Sequence, residues 1–226
     1  MTPHLHNARG LVVGAGGLGA PLCEILARSG VGTLGIADDD RVDLTNLQRQ
    51  VLYATEDIGT PKVVAAARRI AAIADCRVEQ HAVRVTAANA MALLAGWDVV
   101  CDGTDSLDAK FLLNDTCVAL GVPFVVAGIL RFAGQVMTVM PGGACYRCLF
   151  EEPPPPDTVP TCAQAGVLGA MAGVIGALQA GEVLRILRGE RPALAGAILV
   201  HDALVGEARR IAVPKNPTCR ACWSPS

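Results

Sequence analysis

The chemistry of this chain concentrates in a glycine-rich turn, Gly14-Ala15-Gly16-Gly17-Leu18-Gly19, and in four polar residues behind it, Asp38, Asn46, Arg49 and Lys62. Glycines in such a run let the backbone turn sharply and come close to a ligand. Where the turn opens a helix, free N–H groups and the positive end of the helix dipole favour negative charge. Asp38 closes the next apolar run, the place from which an acidic side chain accepts hydrogen bonds from both ribose hydroxyls. Up to this point the pattern describes adenosine recognition, and it fits a nicotinamide dinucleotide nearly as well as ATP. Asn46, Arg49 and Lys62 shift the reading toward a triphosphate, because a redox dinucleotide needs no such cluster. Arg49 offers a planar fork to phosphate oxygens, Lys62 a compact point charge, and the Asn46 amide a further donor. Only three of the nineteen basic residues are lysines, Lys62, Lys110 and Lys215, so a lysine here is not routine usage. Either cation alone reads as a solvated surface charge; spaced together after Asp38 they read as a phosphate clamp.

A second constellation is sulfur. Of nine cysteines, Cys145-x-x-Cys148 and Cys219-x-x-Cys222 form two matched knuckles, and four thiolates suit tetrahedral structural Zn²⁺. The competing readings are a redox pair or two disulfides. The odd cysteine count and the lack of an apolar leader segment in residues 1–7 argue for reduced thiols and a cytoplasmic protein. Cys23, Cys76, Cys101 and Cys117 fall in apolar runs, where cysteine acts as a small core residue. The four histidines, His4, His6, His81 and His201, share no spacing and receive no catalytic role.

These residues need a scaffold to bring them together. Arg9–Val13 and Thr33–Ala37 read as buried strands on either side of a helix over residues 18–28. Pro61 then starts a helix running to residue 74, which places Lys62 near its positive end. Residues 77–83 and 98–101 read as strands with a short helix over 89–94 between them, and Leu107–Leu120 as a helix. This βαβ alternation predicts a parallel, Rossmann-like sheet flanked by helices. Asp102 and Asp105 follow a strand at its carboxyl end, where ligands bind in such sheets; Asp105 also reads as a helix cap, a job that Ser106 or Asp108 can take instead. Residues 123–128 and 135–140 read as further strands, the second antiparallel, and Ala197–Asp202 and 208–213 as closing strands.

The run of four prolines from Pro153 cannot join a helix or a central strand, so residues 151–160 read as extended and mobile. Residues 166–188 are apolar and long enough to raise the question of a membrane span. Gln179, Glu182 and Arg185 interrupt that run, and its glycines and alanines suit close packing in a core or at a subunit interface. The whole, residues 1–226, reads as one domain: 52% hydrophobic content supports a sizeable core. A net charge of −2 and 4% aromatic content leave nothing for nucleic-acid binding.

The motifs together resemble the ThiF/MoeB/HesA family, the prokaryotic relatives of ubiquitin-activating enzymes. The resemblance rests on the glycine turn, Ala37-Asp38-Asp39-Asp40, Thr45-Asn46-Leu47-Gln48-Arg49-Gln50, Pro61-Lys62, Asp102-Gly103-Thr104-Asp105, Cys145-Tyr146-Arg147-Cys148, the stretch from Thr161-Cys162 to Val167, and Cys219-Arg220-Ala221-Cys222. It implies ATP-dependent adenylation of the C-terminal glycine of a ubiquitin-like sulfur carrier, ThiS-like or MoaD-like, in thiamine or molybdopterin biosynthesis. The Ala37–Asp40 run and Thr161-Cys162 lean toward the ThiF side. By the same resemblance Gly14, Gly16, Gly17, Gly19, Asp38, Asn46, Arg49 and Lys62 bind ATP, Asp105 holds Mg²⁺, and Arg49, Lys62 and Asp105 support the chemistry. Residues 151–165 become a crossover loop, with Cys162 matching a cysteine that some members use covalently and others do without. A homodimer is also implied. Members usually begin with a helical segment whose arginine reaches the partner's ATP; here only residues 1–10 stand before and at the start of the first strand, and Arg9 sits at the strand start. The remaining readings are an NAD-dependent oxidoreductase and a non-catalytic zinc scaffold that binds a ubiquitin-like protein.

Overall fold

The structure, a computed structural model, describes residues 5–155, 158 and 165–222. Cys162 and most of the expected crossover loop fall outside the described residues. Eight strands form one sheet in the order β3-β2-β1-β4-β5-β6-β7-β8. β1 (Arg9–Val13), β2 (Thr33–Ala37), β3 (Arg77–His81), β4 (Val99–Asp102) and β5 (Phe124–Leu130) are parallel. β6 (Ala133–Val139), β7 (Ala197–Asp202) and β8 (Glu207–Ala212) continue the sheet in antiparallel fashion. The expected fold class is therefore the one observed: a Rossmann-like parallel core with antiparallel C-terminal strands.

Period-two alternation sorts the strand side chains onto two faces. Val12, Leu34, Ile36, Val99, Cys101 and Val125 point to one side. There they meet α1 (Gly19–Arg28), α2 (Lys62–Ile73) and α6 (Gly169–Leu187). Leu11, Val13, Val100, Phe124 and Val126 point to the other. That side is covered by α3 (Ala90–Leu94), α4 (Leu107–Leu120) and the four-residue α5 (Tyr146–Leu149). The long apolar α6 lies on the sheet with Met171, Ala172 and Ile175 buried. Two of its polar residues are hydrogen-bonded inside the fold: Gln179 donates to the Asp102 and Val125 carbonyls, and Glu182 accepts from Thr138 and from the Ala193 and Leu194 N–H groups.

The two cysteine knuckles meet at one corner. Cys145 Sγ lies 3.6 Å from Cys219 Sγ, and Cys148 Sγ 3.4 Å from Cys222 Sγ, separations of unbonded thiols. All four sulfur atoms fall within 4.8 Å of one another. Asp115 on α4 grips Arg147 in a two-pronged ion pair at 2.7 and 2.8 Å, and the Asn114 amide oxygen accepts the Tyr146 N–H, so the first knuckle is fastened to α4.

The sheet changes winding direction between β1 and β4, and the carboxyl ends of these two strands almost touch. Gly14 (φ +89°) follows β1, and Gly103 follows β4, its N–H bonded to the Val13 carbonyl at 2.7 Å. A Cβ on Gly103 would overlap the Gly14 carbonyl and stand 3.0 Å from the Cα and N of Gly19. All of these obstacles are backbone and cannot move aside. We expect Gly103→Ala to cost about 3 kcal/mol, read as a lower urea midpoint with an unchanged slope; an unchanged midpoint would mean that the two strand ends have room to part.

Candidate functional site

The strand ends β1, β2 and β4 surround one place above the sheet. After β1 the chain makes the glycine turn and enters α1 at Gly19. Among the described residues, the N–H groups of Gly16, Gly17 and Leu18 have no main-chain acceptor, so three donors stand free at the start of a helix. Asp38, directly after β2, is tied into the turn. Its Oδ2 accepts the Ala15 N–H at 2.7 Å and its Oδ1 accepts the Asp40 N–H at 2.8 Å. A carboxylate has about four acceptor positions, so two remain for the hydroxyls of a ribose.

Asn46 and Arg49 come from the segment after β2, which begins with a 3₁₀ turn at Leu44–Asn46 capped by the Asp43 carboxylate. Arg49 Nη2 donates to Asn46 Oδ1 at 2.6 Å, which holds the guanidinium and leaves the Asn46 NH₂ donors unspent by this bond. The stem of Arg49 runs alongside Gly17, 3.6 Å from where a Cβ on that glycine would stand. The segment is anchored from below: Tyr53 donates its hydroxyl to the Ala15 carbonyl at 2.8 Å, and burial pushes that phenol far above its ordinary range. Gln50, 2% exposed, brings its Nε2 to 3.8 Å from where a Cβ on Gly16 would stand.

Lys62 is the first residue of α2, with Pro61 one position earlier than expected, at the cap. A cation at the positive end of a helix is unfavourable by itself, and the structure offsets it with carboxylates. Lys62 Nζ is 2.8 Å from Asp40 Oδ2 and 3.9 Å from Asp38 Oδ1. The side chain is nearly buried, so the ammonium is held beside the Asp38 carboxylate and not dispersed in solvent.

Asp105 lies at the third side, after β4. It is exposed and makes no hydrogen bond or ion pair with any described residue. The helix-capping role goes to Ser106, whose hydroxyl accepts the Ala109 N–H at 3.3 Å. Its neighbour Asp102 is fully buried and paired with Lys110 at 2.6 Å. Arg9, by contrast, starts β1 at the far end of the sheet, paired with Glu79 and stacked over Trp97. A groove of about 470 Å³ runs past these residues and α3, and contains none of the glycine turn, Asp38, Arg49, Lys62 or Asp105. Tyr53, Asp40, Lys110 and Gln179 escape the sequence reading, since their partners become neighbours only in the folded sheet. The rarity of lysine is the one signal that could have drawn attention to Lys110.

The arrangement offers free amides, two cations and an unspent carboxylate around Asp38, which still has acceptor positions to give. It is equipped to hold and neutralise a polyphosphate.

Comparison with known proteins agrees with this geometry. The profile of the ThiF family matches residues 2–221. A sulfur carrier protein adenylyltransferase of Thermus thermophilus is 45% identical over 225 residues, covering 96% of this chain and 83% of the relative. A SAMP-activating enzyme E1 of Haloferax volcanii is 45% identical over 219 residues, covering 96% and 81%. The adenylyltransferase and sulfurtransferase MOCS3 of Sus scrofa is 46% identical over 223 residues, and the chain spans about half of that longer protein, 49%. Among solved structures, the microcin C7 biosynthetic enzyme MccB in complex with N-formylated MccA has a TM-score of 0.88 at 21% identity, over 97% of this chain and 68% of that one. The Escherichia coli MccB structure with ATP has a TM-score of 0.83 at 23% identity, over 97% and 68%. At these identities the solved structures speak for the fold; the profile and the close relatives establish that this chain belongs to the ThiF family.

Proposed function

We propose that this protein is an adenylyltransferase that activates the C-terminal glycine of a ubiquitin-like sulfur carrier with ATP. The observation that carries the reading is the gathering of Asp38, Asn46, Arg49, Lys62 and the unpartnered Asp105 around the glycine turn. The names of the close relatives point the same way.

In the reaction, the carrier's terminal carboxylate oxygen attacks the α-phosphorus of ATP. A new P–O bond forms, the bond to the β-phosphate oxygen breaks, and pyrophosphate leaves with the electron pair. The product is an acyl adenylate, in which AMP is a far better leaving group than the oxide of a free carboxylate. Such chemistry asks a protein mainly for alignment and charge neutralisation. Asp38 orients the ribose, the free amides of the turn meet phosphate oxygens, and Arg49 and Lys62 take up charge on the departing pyrophosphate. The free carboxylate of Asp105 fits a hard cation that seeks oxygen ligands. Mg²⁺ held there would supply further neutralisation of the triphosphate. Cys162 is open to a later covalent step with the activated carrier, which Cys162→Ser tests by loss of a thioester. The cation pair beside the turn favours a triphosphate over the redox dinucleotide, and exchange of pyrophosphate separates an enzyme from a passive scaffold. The same reading includes a homodimer, checked by light scattering.

The four gathered thiols fit Zn²⁺ in number and type. Burial pushes the Cys145 thiol up to about 11. At Cys219 burial also raises the thiol, but the N–H groups of Cys222 and Ala221 and the neighbouring sulfurs outweigh it and bring it down to about 7. A metal must displace those protons, so its hold weakens as pH falls.

With a panel of carriers ending in diglycine, ATP–pyrophosphate exchange falls about 100-fold in Arg49→Ala and in Asp105→Ala while the fold is kept; exchange that survives both substitutions sinks the assigned roles. Native protein carries one zinc per chain by elemental analysis. Stripping it with a chelator lowers the melting temperature by about 10 °C, because it frees the 74-residue span between Cys145 and Cys219, and less chelator is needed at pH 6 than at pH 8.

A further inference from the structure

Lys110 is 5% exposed, and its ammonium reaches three oxygens on three separate pieces of chain. It donates to Asp102 Oδ2 at 2.6 Å, to the Thr104 carbonyl at 2.9 Å and to the Ala127 carbonyl at 2.6 Å. An ammonium has three donors, and all three are used: on the end of β4, on the loop that follows it, and on β5. The other oxygen of Asp102 accepts the N–H and the hydroxyl of Thr104, at 2.9 and 2.7 Å. From the opposite face of the sheet, Gln179 donates to the Asp102 carbonyl at 2.9 Å. Residues 102–104 are thus fixed from every side. The next residue, Asp105, is exposed and spends its carboxylate on no described residue.

A buried ion pair is a poor device for stability alone, since desolvation of both charges offsets their attraction and a hydrophobic pair of equal volume holds a helix to a strand as well. A hydrophobic side chain would leave the carbonyls of Thr104 and Ala127 without this donor, and the loop would lose its fixed shape. A planar guanidinium would also meet three separately placed oxygens less well than an ammonium does.

We propose that Lys110 is a positioning residue that presets the Asp105 carboxylate for the divalent cation of the bound triphosphate. The inference rests on the reading that this site binds ATP with a divalent cation.

The test uses nucleotide binding to the full chain by calorimetry. In Lys110→Met, the Mg²⁺ concentration that gives half of the full gain in ATP affinity rises about tenfold. AMP, held by the glycine turn and Asp38, binds within twofold of native. Asp105→Ala loses the same Mg²⁺ response, and adding Lys110→Met to it costs nothing more, as expected for residues acting as one unit. Equal losses in AMP and Mg²⁺-ATP affinity, or losses that multiply in the double variant, overturn the proposal and leave Lys110 a structural residue only. Should Lys110→Met not fold, the pair Asp102→Asn with Lys110→Met removes both buried charges and takes its place with the same readings. Native protein that binds Mg²⁺-ATP but exchanges no pyrophosphate with any carrier refutes the proposed function and leaves this test standing. A Lys110→Met variant with the native Mg²⁺ response refutes this inference alone.

Discussion

The contact of Gly14 with Gly103 is the constraint on which the site depends. Two strand ends can meet this closely only where neither residue carries a Cβ, because a Cβ on either glycine would run into the backbone of the other. Because they meet, the turn after β1 and the loop after β4 open toward the same space. Asp38, one strand over, reaches that space through its bond to the Ala15 N–H. A side chain at either glycine would push apart the glycine turn, the loop after β4 and Asp38, which lie far from one another along the chain.

Charge is arranged around this contact with economy. Two of the three lysines, Lys62 and Lys110, are nearly buried, and both sit beside an aspartate that ends a parallel strand. They differ in what their ammonium groups have left to give. Lys110 is saturated by three close oxygens and acts on the loop around it. Lys62 has one short contact, to an aspartate that is itself mostly exposed, and can exchange that partner for a phosphate oxygen at little cost. Arg49 is held in the same light way by Asn46. Neutralising groups that are oriented before the ligand arrives need little rearrangement as charge develops.

Much of this was legible before the fold was known, and the misses have physical causes. Apolar periodicity gave β1, β2 and β7 and the bounds of α4, because their side chains face one core or alternate between two. β3 ends at His81, two residues earlier than its composition suggests: it is an edge strand, and the Val83 N–H turns back to the His81 carbonyl. β5 and β6 run longer than expected because Arg131 closes their hairpin with φ +55°, a conformation for which an arginine gives no warning. The glycines, Asp38, Asn46, Arg49, Lys62 and Asp105 carry their chemistry in residue type and spacing. Tyr53, Lys110 and Gln179 act largely on main-chain carbonyls, and a carbonyl looks the same at every position of a sequence.

The sulfur corner has a consequence for how the molecule is made. Its two halves flank α6, β7 and β8, so the second pair of thiols leaves the ribosome only after those elements have been synthesised. A newborn chain therefore cannot complete the four-thiol corner early. A complete corner is thus a sign that the last strands have been made, and a nascent chain stalled before Cys219 would carry only the first two thiols of the four.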